Sequence, residues 1–299
     1  MSVDTFLGAL VQGVLQGGVY ALVVLGVIVV AKATKVINLA YGGILLVLTY
    51  LLWWLVDSMG LPLPVGLVIV LAAGVLVGFG IERLLMRPLM GRPEMDMITF
   101  LMTLVVGFTV MQGIAILAFG GVPQVMPRMF PEGNLNFAGV NFTYTSLFCF
   151  ATAVAMFLAF VAYFRYSKNG LAMRCVSDDM IVSQSLGISV KRICSYAWAV
   201  GAVSAAVGGV LIGSMYAVDT NTGSFAMMRA LPVLLLAGLD SLPGGFVGAL
   251  LVGLAESFAG AYIDPHVGGF RELLPFILML VILLVLPNGL FGKKAIRRI

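Results

Sequence analysis

Few side chains in this 299-residue chain can do chemistry, and their spacing narrows what that chemistry is. Glu256 is the one carboxylate inside the otherwise uncharged run 244–263. An acid so placed can pair with an arginine, line a cavity or sit near a helix end. His266 is the only histidine. Ser–His chemistry would need it beside Ser214 or Ser241, and nothing in the spacing brings them together. Gln12 and Gln16 stand four apart and share one helix face, where they can hydrogen-bond a passing carboxylate or another helix. Gly289-Leu290-Phe291-Gly292-Lys293-Lys294 approaches a phosphate loop but lacks its first glycine and its Ser/Thr, so the chain is not expected to hydrolyse ATP. Cys149, Cys175 and Cys194 have no metal-ligand spacing and read as free thiols, so neither a metal nor a bound cofactor is expected. These residues argue against an enzyme.

The elements that must position them are membrane helices. Hydrophobic residues are 61% of the chain and charged ones 10%, against roughly 45–50% and 25% in soluble domains. The uncharged runs 6–31, 37–56, 61–81, 97–122, 142–164 and 193–218 are each long enough to cross a ~30 Å hydrocarbon core as a helix. The runs 244–263 and 273–292 complete a series of eight. Between 218 and 244 lies the run 230–239, only ten residues long and bracketed by Arg229 and Asp240. By length it can be re-entrant, a half-helix, or the core of a span beginning near Phe225.

Charge parity decides its reading. Positive residues collect on the cytoplasmic side. Nine crossings with the N-terminus outside place Lys32, Lys35, Arg83, Arg87, Arg92, Arg165, Lys168, Arg174, Lys191, Arg192, Lys293, Lys294, Arg297 and Arg298 inside. Only Arg128, Arg229 and Arg271 remain outside. If 230–239 did not cross, the basic tail would end on the wrong side, so a short or broken crossing is expected. The chain therefore reads as an all-α polytopic membrane protein of about nine helices, with a cytoplasmic C-terminus and a single permease domain over 1–299. Asp4 without a nearby Lys or Arg gives no expectation of a cleavable signal peptide. The net charge of +4 is this inside bias itself and says nothing about nucleic acid; with membrane lipid around it, no nucleic-acid partner is expected.

Thirty-six glycines produce by chance about four pairs at i,i+4, and four occur: Gly13/Gly17, Gly74/Gly78, Gly209/Gly213 and Gly244/Gly248. The count is no evidence for a dimer motif. Two interruptions are more specific. Asn38-Leu39-Ala40-Tyr41-Gly42-Gly43 lies near the cytoplasmic end of the second span, and Asp240-Ser241-Leu242-Pro243-Gly244-Gly245 precedes the eighth. Such breaks free backbone groups that can face a water-filled path; a helix start and a tight turn are the plainer readings. Gln12, Gln16, Asn38, Tyr41 and Glu256 are the candidate path residues.

The inner loop 165–192 is mixed apolar and charged. Met173, Val176 and Met180 recur at helical spacing, with Ile181 and Leu186 extending the apolar side and Arg174, Asp178 and Asp179 elsewhere. Gly187 supplies a helix stop and Ser189 can cap the next helix. Two short amphipathic helices hinged at Gly187 can be a knob for a partner's groove or can lie on the membrane interface.

The chain resembles the membrane subunits of ABC importers for branched-chain amino acids, the smaller of the two permease types. The stretches that carry the resemblance run nearly end to end. They are Gly18-Val19-Tyr20-Ala21-Leu22, Val36-Ile37-Asn38-Leu39-Ala40-Tyr41-Gly42, Glu82-Arg83-Leu84-Leu85-Met86-Arg87-Pro88-Leu89, and Gly170-Leu171-Ala172-Met173-Arg174 with Asp179 and Leu186-Gly187-Ile188. Gly238-Leu239-Asp240-Ser241-Leu242-Pro243-Gly244-Gly245 and Leu286-Pro287-Asn288-Gly289-Leu290-Phe291-Gly292 follow. The resemblance implies a non-catalytic permease subunit in a bacterial inner membrane, paired with a second permease as a heterodimer. It further implies two cytoplasmic ATPases, which would use the ATP and Mg, and an extracytoplasmic solute-binding protein. Gly170, Met173, Arg174, Asp178, Asp179, Leu186, Gly187 and Ile188 would form the ATPase-coupling segment. Family members commonly carry His then Gly-Glu where this chain has Tyr41, Gly42 and Gly43, and often Ala-Glu-Asp where it has Ser177, Asp178 and Asp179. The cargo is thus a branched-chain amino acid or a related small amino acid, amide or carboxylate. The competing class is a transporter or channel driven by an ion gradient; one intramembrane acid is little to couple an ion to.

Overall fold

An uncharged run in hydrocarbon can satisfy its backbone groups only by closing them within a helix. The computed structural model, which describes residues 3–89, 96–131, 133–137, 140–238, 241–286 and 289–291, is built almost wholly on that solution. Helix α1 is Val3–Thr34. Helix α2, Tyr41–Trp53, ends in a π-helical turn, Trp54–Ser58, and α3, Leu63–Ile81, ends in another, Glu82–Met86. Helix α4, Asp96–Val105, passes through a third, Val106–Met111, into α5, Gln112–Phe119. A small antiparallel hairpin, β1 (Asn134–Phe137) and β2 (Val140–Thr143), precedes α6, Tyr144–Tyr166. Then come α7 (Lys168–Asp178), α8 (Met180–Ser185), α9 (Val190–Met215), α10 (Thr222–Ala237), α11 (Leu242–Tyr262) and α12 (Phe270–Val285).

Among the described residues, seven stretches are long and apolar enough to cross a membrane: Val3–Thr34, Tyr41–Ser58, Leu63–Met86, Met97–Phe119, Tyr144–Tyr166, Val190–Met215 and Leu242–Tyr262. Helices α10 and α12 have 16 residues each, about 24 Å of helix. The run expected at 230–239 is the later part of α10. That helix begins at Thr222, takes Arg229 into its body, and ends at Gly238, whose φ of 81° is open to glycine. Leu239, Asp240, Pro287, Asn288, Arg92 and the basic tail 293–298 lie outside the described residues.

Helix α1 is the axis of the bundle. From Leu15 to Ala33 it is buried almost without interruption, against α6, α9, α10 and α11. A helix enclosed on all sides needs no apolar stripe, and α1 has none. Helices α3, α4–α5 and α6 lie further out and show Leu76, Leu117 and Leu158 on their outer faces.

The four glycine pairs all serve contacts within the chain. Gly13 and Gly17 meet Leu254 and Leu250 of the antiparallel α11, and Gly74 and Gly78 meet Ala202 and Trp198 of α9. Gly209 and Gly213 pack on Thr49 of α2, and Gly244 and Gly248 on Ala237 and Val233 of α10. Missing Cβ atoms let these backbones approach closely where no hydrophobic gain separates helix from lipid. A Cβ on Gly17 would stand 2.9 Å from the Ala249 oxygen and Leu250 Cα, both backbone atoms that cannot step aside. Gly17→Val is therefore expected to destabilise the fold by roughly 1–3 kcal/mol and lower its melting temperature in detergent. Gly113→Ala, which meets nothing within 4 Å, should leave the melting temperature unchanged.

Candidate translocation and coupling site

Three interruptions of helix converge at one place inside the bundle. Thr34 closes α1, Lys35 turns the chain with φ 61°, and residues 36–40 run without helix to the start of α2 at Tyr41. Residues 216–221 likewise run without helix to the start of α10 at Thr222. An antiparallel bridge between Gln124 and Val218 holds that second segment, and Tyr50 donates to the Val218 carbonyl at 3.4 Å. The third interruption is the π-helical turn at Gly107. Gly42 faces Gly223 backbone to backbone, Gly43 faces Gly107, and Gly107 faces Leu39 and Ala40.

The space between them holds about 10 Å³, room for roughly one water. Gln112 and Ser224 are its polar side chains. Asn38, next to Leu39 in its wall, is buried with Oδ1 lacking a hydrogen-bond partner. Two helices thus begin inside the protein beside freed carbonyls, and backbone of this kind is tolerated at membrane depth only under protein cover or along a cavity. Tyr41 itself turns away from the cleft. It is fully buried, and its hydroxyl meets Ser204 of α9 at 2.9 Å beside Gly26 of α1.

A second polar cluster lies nearer the start of α1, at Gln16 and Tyr20. Glu256 is fully buried and receives Arg229 Nε at 3.2 Å, Tyr20 hydroxyl at 2.8 Å and Gln16 Nε2 at 3.4 Å. Gln16 Nε2 also donates to Tyr20, and Gln16 Oε1 accepts from Arg271 Nη2 at 2.9 Å. Of the expected path residues, the fold brings Gln16 and Glu256 together in this cluster. Asn38 adjoins the glycine cleft, Tyr41 points away from it to Ser204, and Gln12 is half-buried one turn before Gln16. The charged partners all come from helices that only the fold brings together: Arg229 from α10, Glu256 from α11 and Arg271 from α12.

The inner loop folds into α7 and α8. The break between them falls at Asp179, not Gly187, because the Asp179 carboxylate caps α8 by accepting from Ile181 N at 2.8 Å and Val182 N at 3.0 Å. Gly187, at φ 81°, ends α8, and α9 starts at once from Ser189 as one continuous helix. Gly170, Met173 and Val176 are buried against the bundle and Ile188 packs partly on it. Arg174, Asp178 and Asp179 are exposed, with Arg174 Nη2 donating to the Arg165 carbonyl at 3.2 Å. Ile181 and Leu186 are 77% and 72% exposed, so the part of the apolar side that they extend faces out of the bundle while Met173 and Val176 face in. Lys35 Nζ donates to the Ser177 carbonyl, tying α7 to the broken segment that leads into the cleft.

The family model for the permease component of branched-chain amino acid transport systems matches residues 9–286. The chain belongs to this family. It is a multi-pass bacterial membrane protein. It is 29% identical over 309 residues to the high-affinity branched-chain amino acid transport system permease protein LivH of Escherichia coli, covering 98% of each chain. It is 27% identical over 308 residues, again 98% of each, to the corresponding protein BraD of Pseudomonas aeruginosa. A probable branched-chain amino acid transport permease of Methanocaldococcus jannaschii is 24% identical over 93% of this chain and 90% of its own. Among solved structures, PsaBC from Streptococcus pneumoniae in complex with Fab aligns over 94% of this chain and 91% of that chain, at 15% identity and a TM-score of 0.48.

Several residues of this permease's site were not singled out by spacing. Gly107 is a single glycine in an apolar run and Gly223 a single glycine in the polar stretch 219–224, and only the fold shows them facing Gly43 and Gly42. Arg229 and Arg271 read as outer-loop cations, because an arginine at the edge of an apolar run is indistinguishable by sequence from one inside a helix. Removing one member of a buried ion pair strands the other. With the Arg229 side chain 30% exposed, Arg229→Met is expected to cost about 2–3 kcal/mol. Arg229→Met/Glu256→Gln should recover a large part of that in a detergent melting experiment, since neither charge is then left alone.

Proposed function

We propose that the chain is the permease subunit of an ATP-driven ABC importer that passes branched-chain amino acids to the cytoplasm. The observation that carries this reading is the match to permeases of that system along 98% of both chains. In it the chain pairs with a second permease as a heterodimer, one of two cytoplasmic ATPases docks on the segment 165–192, and an extracytoplasmic binding protein delivers the cargo. Nine helices cross, with the N-terminus outside and the C-terminus inside. Supporting this, α10 runs antiparallel to α11, and Leu290 N donates to Leu236 O at 2.7 Å, setting the end of α12 beside that of α10. Helix α10 can be short because its start is covered by α2.

The mechanism follows from the connections. ATPase closure pushes the exposed apolar side of α8, Ile181, Val182 and Leu186, and moves α7 with it. Through Lys35 and Ser177 that displacement reaches residues 36–40 and the glycine cleft, which is closed in this state. Sliding α2 from α10 at Gly42 and Gly223 opens the cleft beside the carbonyls freed by the breaks. The chain contributes no catalytic group; ATP supplies the bias, because a site that binds cargo equally in both states shifts nothing. Ion coupling draws no support, since the fully buried carboxylates Glu82 and Glu256 are each held by an arginine.

The cognate binding protein titrated with leucine, isoleucine and valine is expected to bind at least one of them more tightly than urea or simple carboxylates; preference for urea would overturn the cargo assignment. In the assembled complex, Ile181→Asp should lower ATPase co-purification roughly tenfold without loss of membrane insertion, the order expected for a hot-spot contact. Lys35→Met should leave the complex intact and ATP hydrolysed while transport falls.

A further inference from the structure

Where α3 ends and α9 begins, the fold encloses a cleft of about 490 Å³ that plays no part in the cargo path. Arg83, Arg87, Lys191 and Arg192 line it. One acid faces them: Glu82, fully buried and already satisfied by Arg87 Nε and Nη2 at 3.3 Å each and by the Ser195 hydroxyl at 2.6 Å. The internal pair cancels, and among the described residues no carboxylate lies within ion-pair distance of Arg83, Lys191 or Arg192. Ser189 at the start of α9 makes no side-chain cap, so the first amides of a 26-residue helix add to the positive end of the cleft.

The other end is different in kind. Phe79 and Tyr196, each one turn along the chain from a lining cation, Arg83 and Arg192, form its wall as an edge-on pair with centroids 6.4 Å apart. Beside Arg83, Leu84 is 75% exposed, and earlier on α3 Leu76 is 71% exposed, an apolar outer face suited to hydrocarbon. Cations at the membrane boundary above an aromatic wall at acyl depth fit an amphiphile with an anionic head. We propose that this cleft binds the phosphate headgroup of an anionic phospholipid of the cytoplasmic leaflet, with Arg83, Lys191 and Arg192 on the phosphate and Phe79 and Tyr196 along the first acyl carbons. Basic pockets between helices on the cytoplasmic side suit such heads. An acidic face of a partner protein would match the cations but leave the aromatic wall unused. The leaflet assignment rests on the orientation proposed above.

The test is native mass spectrometry of the full chain, delipidated and offered phosphatidylglycerol or phosphatidylcholine. Wild type should retain phosphatidylglycerol preferentially. Arg83→Gln/Arg192→Gln should lose roughly 10- to 30-fold of that preference, the effect of two near-surface cations, while Arg83→Lys/Arg192→Lys keeps it. Equal preference in wild type and the Gln variant overturns the site. Displacement of the lipid by excess inorganic phosphate shows a soluble-anion site instead and overturns the lipid reading. Loss of ATPase co-purification in the Gln variant with lipid preference unchanged makes the cleft a protein contact and overturns it too. Orientation is read separately: Ser189→Cys, in a Cys175→Ser background, should react with an impermeant maleimide in inside-out vesicles only. Labelling from the outside would sink the topology and the leaflet assignment, while the charge preference would still be judged by mass spectrometry.

Discussion

Hydrocarbon offers no hydrogen-bond partner, so every carbonyl freed by a broken helix and every charge carried below the surface must find one inside the protein. The arrangement of the bundle follows from that constraint. Helix α1 is enclosed because it carries Gln16 and Tyr20, and the residues that satisfy them come from α11 and α12. The starts of α2 and α10 sit inside the protein because each covers the other across Gly42 and Gly223. Glu82 and Glu256 are tolerated at full burial because an arginine and hydroxyl donors meet each of them.

The same constraint makes the closed cleft a place that can open. Glycine faces bind by backbone proximity and little else, so parting Gly42 from Gly223 gives up less side-chain interlock than parting two leucine faces. The π-helical turn at Gly107 carries backbone groups already out of α-helical register on the opposite wall. By contrast, the Glu256 cluster joins α1, α10, α11 and α12 by directional bonds, and resists sliding. The bundle therefore has a stiff region around Glu256 and a yielding centre. Lys35, bonded to Ser177, links that centre to the surface where α8 leaves Ile181 and Leu186 uncovered.

Much of this was legible in the chain. Apolar runs marked the seven long spans found among the described residues, and the break at Asn38-Leu39-Ala40 stands where expected; of the second, Leu242-Pro243-Gly244-Gly245 form the first turn of α11, capped by Ser241 on Gly244 N at 3.0 Å. Glu256 was visible as an isolated acid, one of whose plain readings was an arginine partner. The partner's identity was not visible, because it depends on α10 and α11 lying antiparallel. The break between α7 and α8 was missed for a local reason: Asp179 looked like one more charge on a helix face, while its carboxylate caps a new helix. Periodicity placed Ile181 and Leu186 on the apolar side but could not tell which of two apolar surfaces the bundle would cover.

The scarcity of membrane-depth charge and the arginine pairing of Glu82 and Glu256, the fully buried acids among the described residues, lead to one central claim, that passage through this chain is powered from outside it. Labelled leucine, isoleucine and valine uptake into proteoliposomes tests this most directly, comparing the chain alone under imposed proton and sodium gradients with the complete complex given internal or external ATP according to its orientation. The account predicts accumulation only in the complete complex with hydrolysable ATP. Accumulation by the chain alone against a concentration gradient would contradict it.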